Sequence, residues 1–328
     1  MSSMSKRRWQ VLVLLSVGVV FSLVLGILAG SVRVPIWHLF DTELGKEALI
    51  LRYIRLPRVL MGFLVGGALG ISGAAVQSSL NNPLASPYTM GVSAGASLGV
   101  SLYFLTGFNF FSVGIPAVGF LFGMGTVLFV MAFAKRVDPF MQNQTVILAG
   151  MVFSLFVNGV LTVILALSKE TLEKTVHWQM GSLGANGFSE LRVFIPFLIV
   201  GTVGILRRSK ELDVMAMGDE QALSMGVDVP KVKRRVLVYA SLLTGSAVAF
   251  TGAIGFIDLV VVHVIRKLVG SNHRFLLPFS FLFGGSFLVL TDLFARTVLS
   301  PRELPVGAIT ALIGAPFFMW VFFNKRRR

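Results

Sequence analysis

Ionisable and polar side chains are sparse in this chain, and their placement in apolar sequence limits the chemistry open to them. Asp258 and Asp292 stand in or beside long apolar runs, where a carboxylate is costly unless it finds a partner. Asp292 precedes Arg296 by one helical turn, so the two are expected to form an ion pair within the chain. Asp258 either caps a short helix or faces a pathway, and the sequence leaves both open. Gln77 and Asn158 also fall within apolar sequence, suited to hydrogen bonds between helices or to contact with a moving solute. Arg55, Arg58 and Arg296 sit at the ends of apolar runs. A guanidinium there can grip a carboxylate through two parallel hydrogen bonds, or reach toward lipid headgroups. Metal and nucleotide chemistry find no such footing. The chain has no cysteine, which excludes disulfides and thiolate metal sites. Its four histidines, His38, His177, His263 and His273, are scattered, so neither a metal site nor a cofactor is expected. No Gly-x-x-x-x-Gly-Lys-Ser/Thr loop is present, so any ATP hydrolysis has to come from another chain.

The elements that position these residues are apolar almost throughout. Of 328 residues, 55% are hydrophobic and only 13% charged, with a mean hydropathy of +0.82. A soluble domain carries about a quarter charged residues. Apolar runs long enough to cross a ~30 Å hydrocarbon core recur along the chain, and about ten are discernible. They cover residues 9–29, 56–80, 88–105, 113–134, 146–167, 191–206, 236–254, 256–269, 275–295 and 305–323. The eighth is short. An all-α polytopic membrane protein is expected, with residues 1–328 forming one membrane domain. The first apolar run, 11–29, exceeds the ~7–15 residues of a signal peptide's core and reads as a retained span. Lys and Arg give a net charge of +14, but they cluster between spans instead of forming a solvated basic face. That pattern marks cytoplasmic loops and argues against a nucleic-acid partner. Lys6-Arg7-Arg8 and Lys325 to Arg328 place both termini in the cytoplasm. Segments 31–53 and 168–190 then lie outside, and 207–235 is the largest inner segment, charged with a helix-like centre. Gly62, Gly66 and Gly70 recur every four residues, as do Gly91, Gly95 and Gly99. The spacing suits either tight helix packing or a mobile wall beside a pathway.

Several stretches, taken in order, carry a family resemblance. They are Arg55-Leu56-Pro57-Arg58, Gly66-Gly67-Ala68-Leu69-Gly70-Ile71-Ser72-Gly73, Gln77, Asn82-Pro83-Leu84-Ala85 and Gly91-Val92-Ser93-Ala94-Gly95-Ala96. Trp178 to Leu183, Met217 to Val227, Gly255 to Arg274, Asp292, Arg296 and Glu303-Leu304-Pro305-Val306-Gly307 extend it over nearly the whole chain. Together they resemble the FecCD permeases of ABC importers for iron-siderophore, haem and cobalamin. Two positions depart from the family pattern near the outer mouth: Asp258 stands where glycine is usual, and Val262 where proline is. Asn81 replaces a usual arginine.

The resemblance implies a type II ABC importer permease fold of ten helices per subunit and a permease dimer with the pathway at its interface. It also implies ABC ATPase subunits inside and a solute-binding protein outside. Glu220-Gln221-Ala222-Leu223-Ser224-Met225-Gly226 resembles the Glu-x-Ala-x-x-x-Gly signature of importer permeases. It therefore implies an ATPase-coupling knob containing Asp219, Glu220, Ala222 and Gly226, where the plain alternative is a solubilising loop. The acidic pair suits a helix N-terminus, and Gly226 suits a turn of positive φ. Arg55, Arg58 and Arg296 are implied to dock the binding protein, and Gly66, Gly70, Gln77, Gly91, Gly95 and Asn158 to line or pack the pathway. The expected activity is ATP-driven import of an iron-siderophore complex by alternating access, with haem or cobalamin as rival cargo. A self-sufficient secondary transporter is the rival class. It calls for ion-coupling carboxylates deep in the spans and an internal repeat, and the sequence offers little of either.

Overall fold

The computed structural model describes residues 3–30, 34–35, 45–107, 114–184 and 187–325, and His38 lies outside them. Among these residues the structure is all-α. In chain order the helices are α1 (Ser3–Leu28), α2 (Lys46–Leu49), α3 (Leu56–Ser79), α4 (Val92–Thr106), α5 (Ile115–Val137), α6 (Asn143–Leu167) and α7 (Lys169–Gln179). They continue with α8 (Phe188–Leu206), α9 (Ser209–Met215), α10 (Asp219–Ser224), α11 (Val229–Thr251), α12 (Ile257–Val269), α13 (His273–Thr297) and α14 (Val306–Lys325). Each apolar run expected to span falls on a helix: α1, α3, α4, α5, α6, α8, α11, α12, α13 or α14. Six of these, α1, α3 with its N-terminal extension, α5, α6, α8 and α13, are long and apolar enough to cross a bilayer unaided.

The centre of the bundle is α3. Its sequence is apolar or small on every side, which is the pattern of a fully buried helix. Gly66 and Gly70 let the backbone of α3 meet that of α13 directly, at the carbonyls of Gly284 and Ser280. A side chain at either position would collide with main chain, which cannot yield as a side-chain tip can. The glycine spacing thus serves close packing at the core. On α4, Gly95 does the same against Thr126 of α5, and Gly91 adopts φ 87° at the start of the helix.

Two short helices explain why the eighth span looked weak. With 15 and 13 residues, α4 and α12 reach only ~20 Å each, short of a ~30 Å core. Irregular chain makes up the depth, as the single 3₁₀ turn Pro87–Met90 between Ser86 and Gly91 before α4 and as non-helical residues 252–256 before α12. Such backbone survives inside a membrane only where protein covers it. Here the two segments cover each other, and the Tyr88 hydroxyl donates to the Ile254 carbonyl at 2.9 Å.

Part of the semi-polar segment expected outside is helical. From Lys46 the chain runs through a π-helical turn, Ile50–Arg55, straight into α3. Pro57 has no N–H for the carbonyl four residues back, and just before it the chain takes the wider register, with Leu56 N–H bonded to Leu51 O.

Candidate functional site

At one end of the bundle the 207–235 segment folds into α9, α10 and the start of α11. Asp219 and Glu220 occupy the first turn of α10, where the helix dipole favours negative charge. Ala222 is fully buried, whereas Glu220 is exposed. The helix closes in a Schellman motif: Val227 N–H bonds Ala222 O and Gly226 N–H bonds Leu223 O, both at 3.0 Å. Gly226 provides the left-handed residue this motif needs, with φ 83°. Around the turn Met217, Leu223 and Met225 are 67, 50 and 63% exposed, an apolar cap on an otherwise charged loop. Flexible methionines on such a cap suit a protein partner.

The knob is tied to the bundle at two places. On α9, Asp213 meets His273 at the start of α13, with Nδ1 2.6 Å from Oδ1, and the far ring nitrogen lies 2.6 Å from the Ser78 hydroxyl on α3. The order Ser–His–Asp has the look of a nucleophilic relay, but His273 and Ser78 are sealed at 1 and 6% exposure. It acts as a tie between three helices. Asn81 adds a hydrogen bond to Met215 O at 2.9 Å. On α10, Asp219 meets Lys233 of α11 at 2.9 Å. The Lys233 ammonium is completely buried and donates as well to Met141 O at 3.0 Å and Asn143 Oδ1 at 2.6 Å.

At the opposite end, Arg55, Arg58 and Arg296 do not look outward as expected. They are 4, 7 and 5% exposed and bound to this chain's own groups. The reason is local: the last carbonyls of a helix lack intrahelical partners, and α1 ends here. Arg55 donates to Ile27 O at 3.0 Å and Leu28 O at 2.8 Å, and Arg296 donates to Gly26 O. Arg296 also lies 3.5 Å from Asp292, the pair anticipated from their spacing. Asp292 in turn is gripped by Arg58, whose Nη2 and Nε reach its carboxylate at 2.8 and 3.0 Å. Arg58 grips Glu303 through both terminal nitrogens at 2.9 Å. These bonds from Arg58 hold the half-exposed Glu303 carboxyl below its ordinary range.

The remaining polar residues separate cleanly. Gln77 donates to the main-chain oxygen of Asp258 at 3.2 Å, an interhelical bond. Asp258 lies in the first turn of α12, fully buried, and accepts from the Ser86 hydroxyl, so it faces the re-entrant segment. Valine at 262 leaves α12 unbroken. Asn158 lies on the exposed face of α6, in line with Leu155 and Thr162. His263 packs beside Phe317 and Phe318. Among the described residues no group of three or more His, Cys, Asp or Glu side chains could hold a metal ion.

Lys233, Asp213, His273 and the Arg58 partner Glu303 were not singled out from sequence as a network. The one signal for Lys233 was its place in a basic run leading into an apolar helix, which reads equally well as loop charge.

A multi-pass helical membrane protein with a knob at one end and short re-entrant segments belongs to the permease class, and the comparisons agree. The FecCD transport family model matches residues 14–324, and the chain belongs to that family. A Bacillus subtilis relative named ABC transporter permease protein YvrB is 41% identical over 93% of this chain and 91% of its own. The cobalamin import permease BtuC of Halobacterium salinarum is 37% identical over 84% of this chain and 73% of its own. The Fe(3+)-citrate import permease YfmD of B. subtilis is 36% identical over 87 and 84%. A solved chain described as an inward-facing conformation of a metal-chelate type ABC transporter superposes with a TM-score of 0.86 at 29% identity, over 96% of this chain and 99% of that one. This chain is accordingly a permease of the ABC importer class.

Proposed function

We propose that the chain is the permease subunit of an ATP-driven importer of iron-siderophore complexes, acting in the cytoplasmic membrane as a single membrane domain. The observation that carries this reading is the α10 knob, a Schellman-closed helix with an apolar cap standing off the bundle on buried ties. ABC ATPase subunits dock on it from the cytoplasm, where both termini also lie. A second permease subunit faces the exposed side of α6, so that Asn158 and Thr162 meet a polar pathway and not lipid, where an unpaired amide is costly. A solute-binding protein docks on the opposite end. Because Arg55, Arg58 and Arg296 are engaged internally, docking through them proceeds by partner exchange, most readily at the half-exposed Arg58–Glu303 pair. The relative named for Fe(3+)-citrate import and the metal-chelate structural neighbour support an iron chelate. The relative named for cobalamin import makes that cargo the alternative. Haem is a further rival within the family. A secondary transporter is not favoured, because Asp292 is ion-paired and Asp258 is sealed against Ser86.

The test is co-purification. Tagged chain from membranes of its own host is expected to bring down a nucleotide-hydrolysing subunit, and deleting residues 219–226 is expected to release it. A chain that purifies alone and still transports would remove the proposal.

A further inference from the structure

Lys233 is a basic side chain in an unusual place. Its ammonium carries three donors and no acceptor, and it is wholly buried at the foot of α11. Each donor has one acceptor, and the three acceptors belong to different parts of the fold. Asp219 opens α10, Asn143 opens α6, and Met141 lies in the link between α5 and α6. That link is itself stiff, since the Asp138 carboxylate accepts from Phe140 N–H at 3.0 Å and Gln142 N–H at 2.7 Å. Those bonds, chiefly from Gln142, hold the Asp138 carboxyl below its ordinary range and keep it ionised as the acceptor. Releasing Asp219 would strip the buried ammonium of its counter-charge, and releasing Asn143 or Met141 would leave a buried donor unmade, so the groups it holds move together.

We propose that Lys233 is the positioning residue that transmits movement of α10 to α6, by joining Asp219 to Asn143 and Met141. This inference rests on the permease reading, in which α10 meets the ATPase and α6 borders the pathway. From Asn143 to Asn158 a rigid helix extends ~22 Å, so a shift at its first turn displaces the exposed polar face. The other tie, through Asp213 and His273, runs to α3 and α13 instead. The two ties hang on different short helices, so a shift of α10 against α9 moves α6 relative to the central helices.

The cysteine-free chain offers a direct test. Asn158→Cys in the complete transporter is labelled with a thiol-reactive maleimide, with and without vanadate-trapped ATP. The labelling rate is expected to change about fivefold or more between the two conditions. With Lys233→Met added, the change is expected to shrink below about twofold, while the co-purified ATPase subunit stays at the parent level. A structural role alone would lower assembly and leave the nucleotide response of the surviving complexes intact. Asn143→Ala, which removes the acceptor on α6 and keeps the lysine, is expected to give the same loss and serves if Lys233→Met does not insert. A full nucleotide response in either variant overturns the proposal. A parent that shows no nucleotide response and no associated ATPase overturns the permease reading, and this inference with it.

Discussion

Replacing Gly226 with valine isolates the conformation of the knob from its packing. The backbone there has φ 83°, and a side-chain carbon at this position would meet nothing within 4 Å. Any damage is therefore backbone strain and not a clash. Holding a β-branched residue in the left-handed region costs about 1–3 kcal/mol. That lowers the occupancy of the closing turn relative to competing loop conformations by about 5- to 150-fold. The two Schellman hydrogen bonds are lost with the turn, and with them the placement of Leu223 and Met225 on the apolar cap. The bundle itself does not depend on this loop residue, so insertion and external capture are expected to persist. The assay is ATP hydrolysis by the reconstituted transporter with and without loaded binding protein, beside uptake. Gly226→Val is expected to abolish most of the stimulation and to reduce uptake about fivefold or more. Gly226→Asn, which tolerates positive φ, is expected to keep most of both. Equal loss in the two variants, or normal coupling in the valine variant, would refute the reasoning.

Three further outcomes follow from the same geometry. Arg58→Gln leaves Asp292 buried without its strongest partner, a loss of about 3–5 kcal/mol seen as a lower melting temperature in detergent. Glu303→Gln breaks a half-exposed pair, costs at most about 1 kcal/mol, and barely moves the melt. The Glu303 carboxyl titrates below its ordinary range, so its stabilising share is present above that range and disappears as pH falls through the lowered value. Melts of wild type and Glu303→Gln are accordingly expected to differ slightly at neutral pH and to converge in acid. For topology, Ser3→Cys, Ser209→Cys and Ser271→Cys are expected to react with an impermeant thiol reagent from the cytoplasmic side and Ser168→Cys from outside. Outside labelling of Ser209→Cys would overturn the arrangement.

The fold was legible because its signals are local. Apolar length marked the long helices, and the Gly66–Gly70 repeat marked the close approach of α3 to α13. The Asp292–Arg296 pair was legible for the same reason, a spacing of one turn. What escaped depends on contacts distant in sequence. Arg55 and Arg296 stand at span ends, but that they close the end of α1 follows from where α1 stops in space. Arg58 and Glu303 are 245 residues apart. Lys233 resembles its basic neighbours in sequence, and only its burial beside Asn143 and Asp219 sets it apart. Asp258 could have capped or lined, and the depth of the re-entrant segment at Ser86 decides where it points.

On the proposed reading, ATP hydrolysed by a separate subunit drives transport through this chain. The direct measurement is uptake of an iron-loaded siderophore into proteoliposomes that hold the chain, its ATPase subunit and ATP, with loaded binding protein outside. Uptake is expected to stop when ATP is omitted or when residues 219–226 are deleted, and to ignore an imposed ion gradient. Uptake sustained by the ion gradient alone, with no ATP and no second subunit, would contradict it.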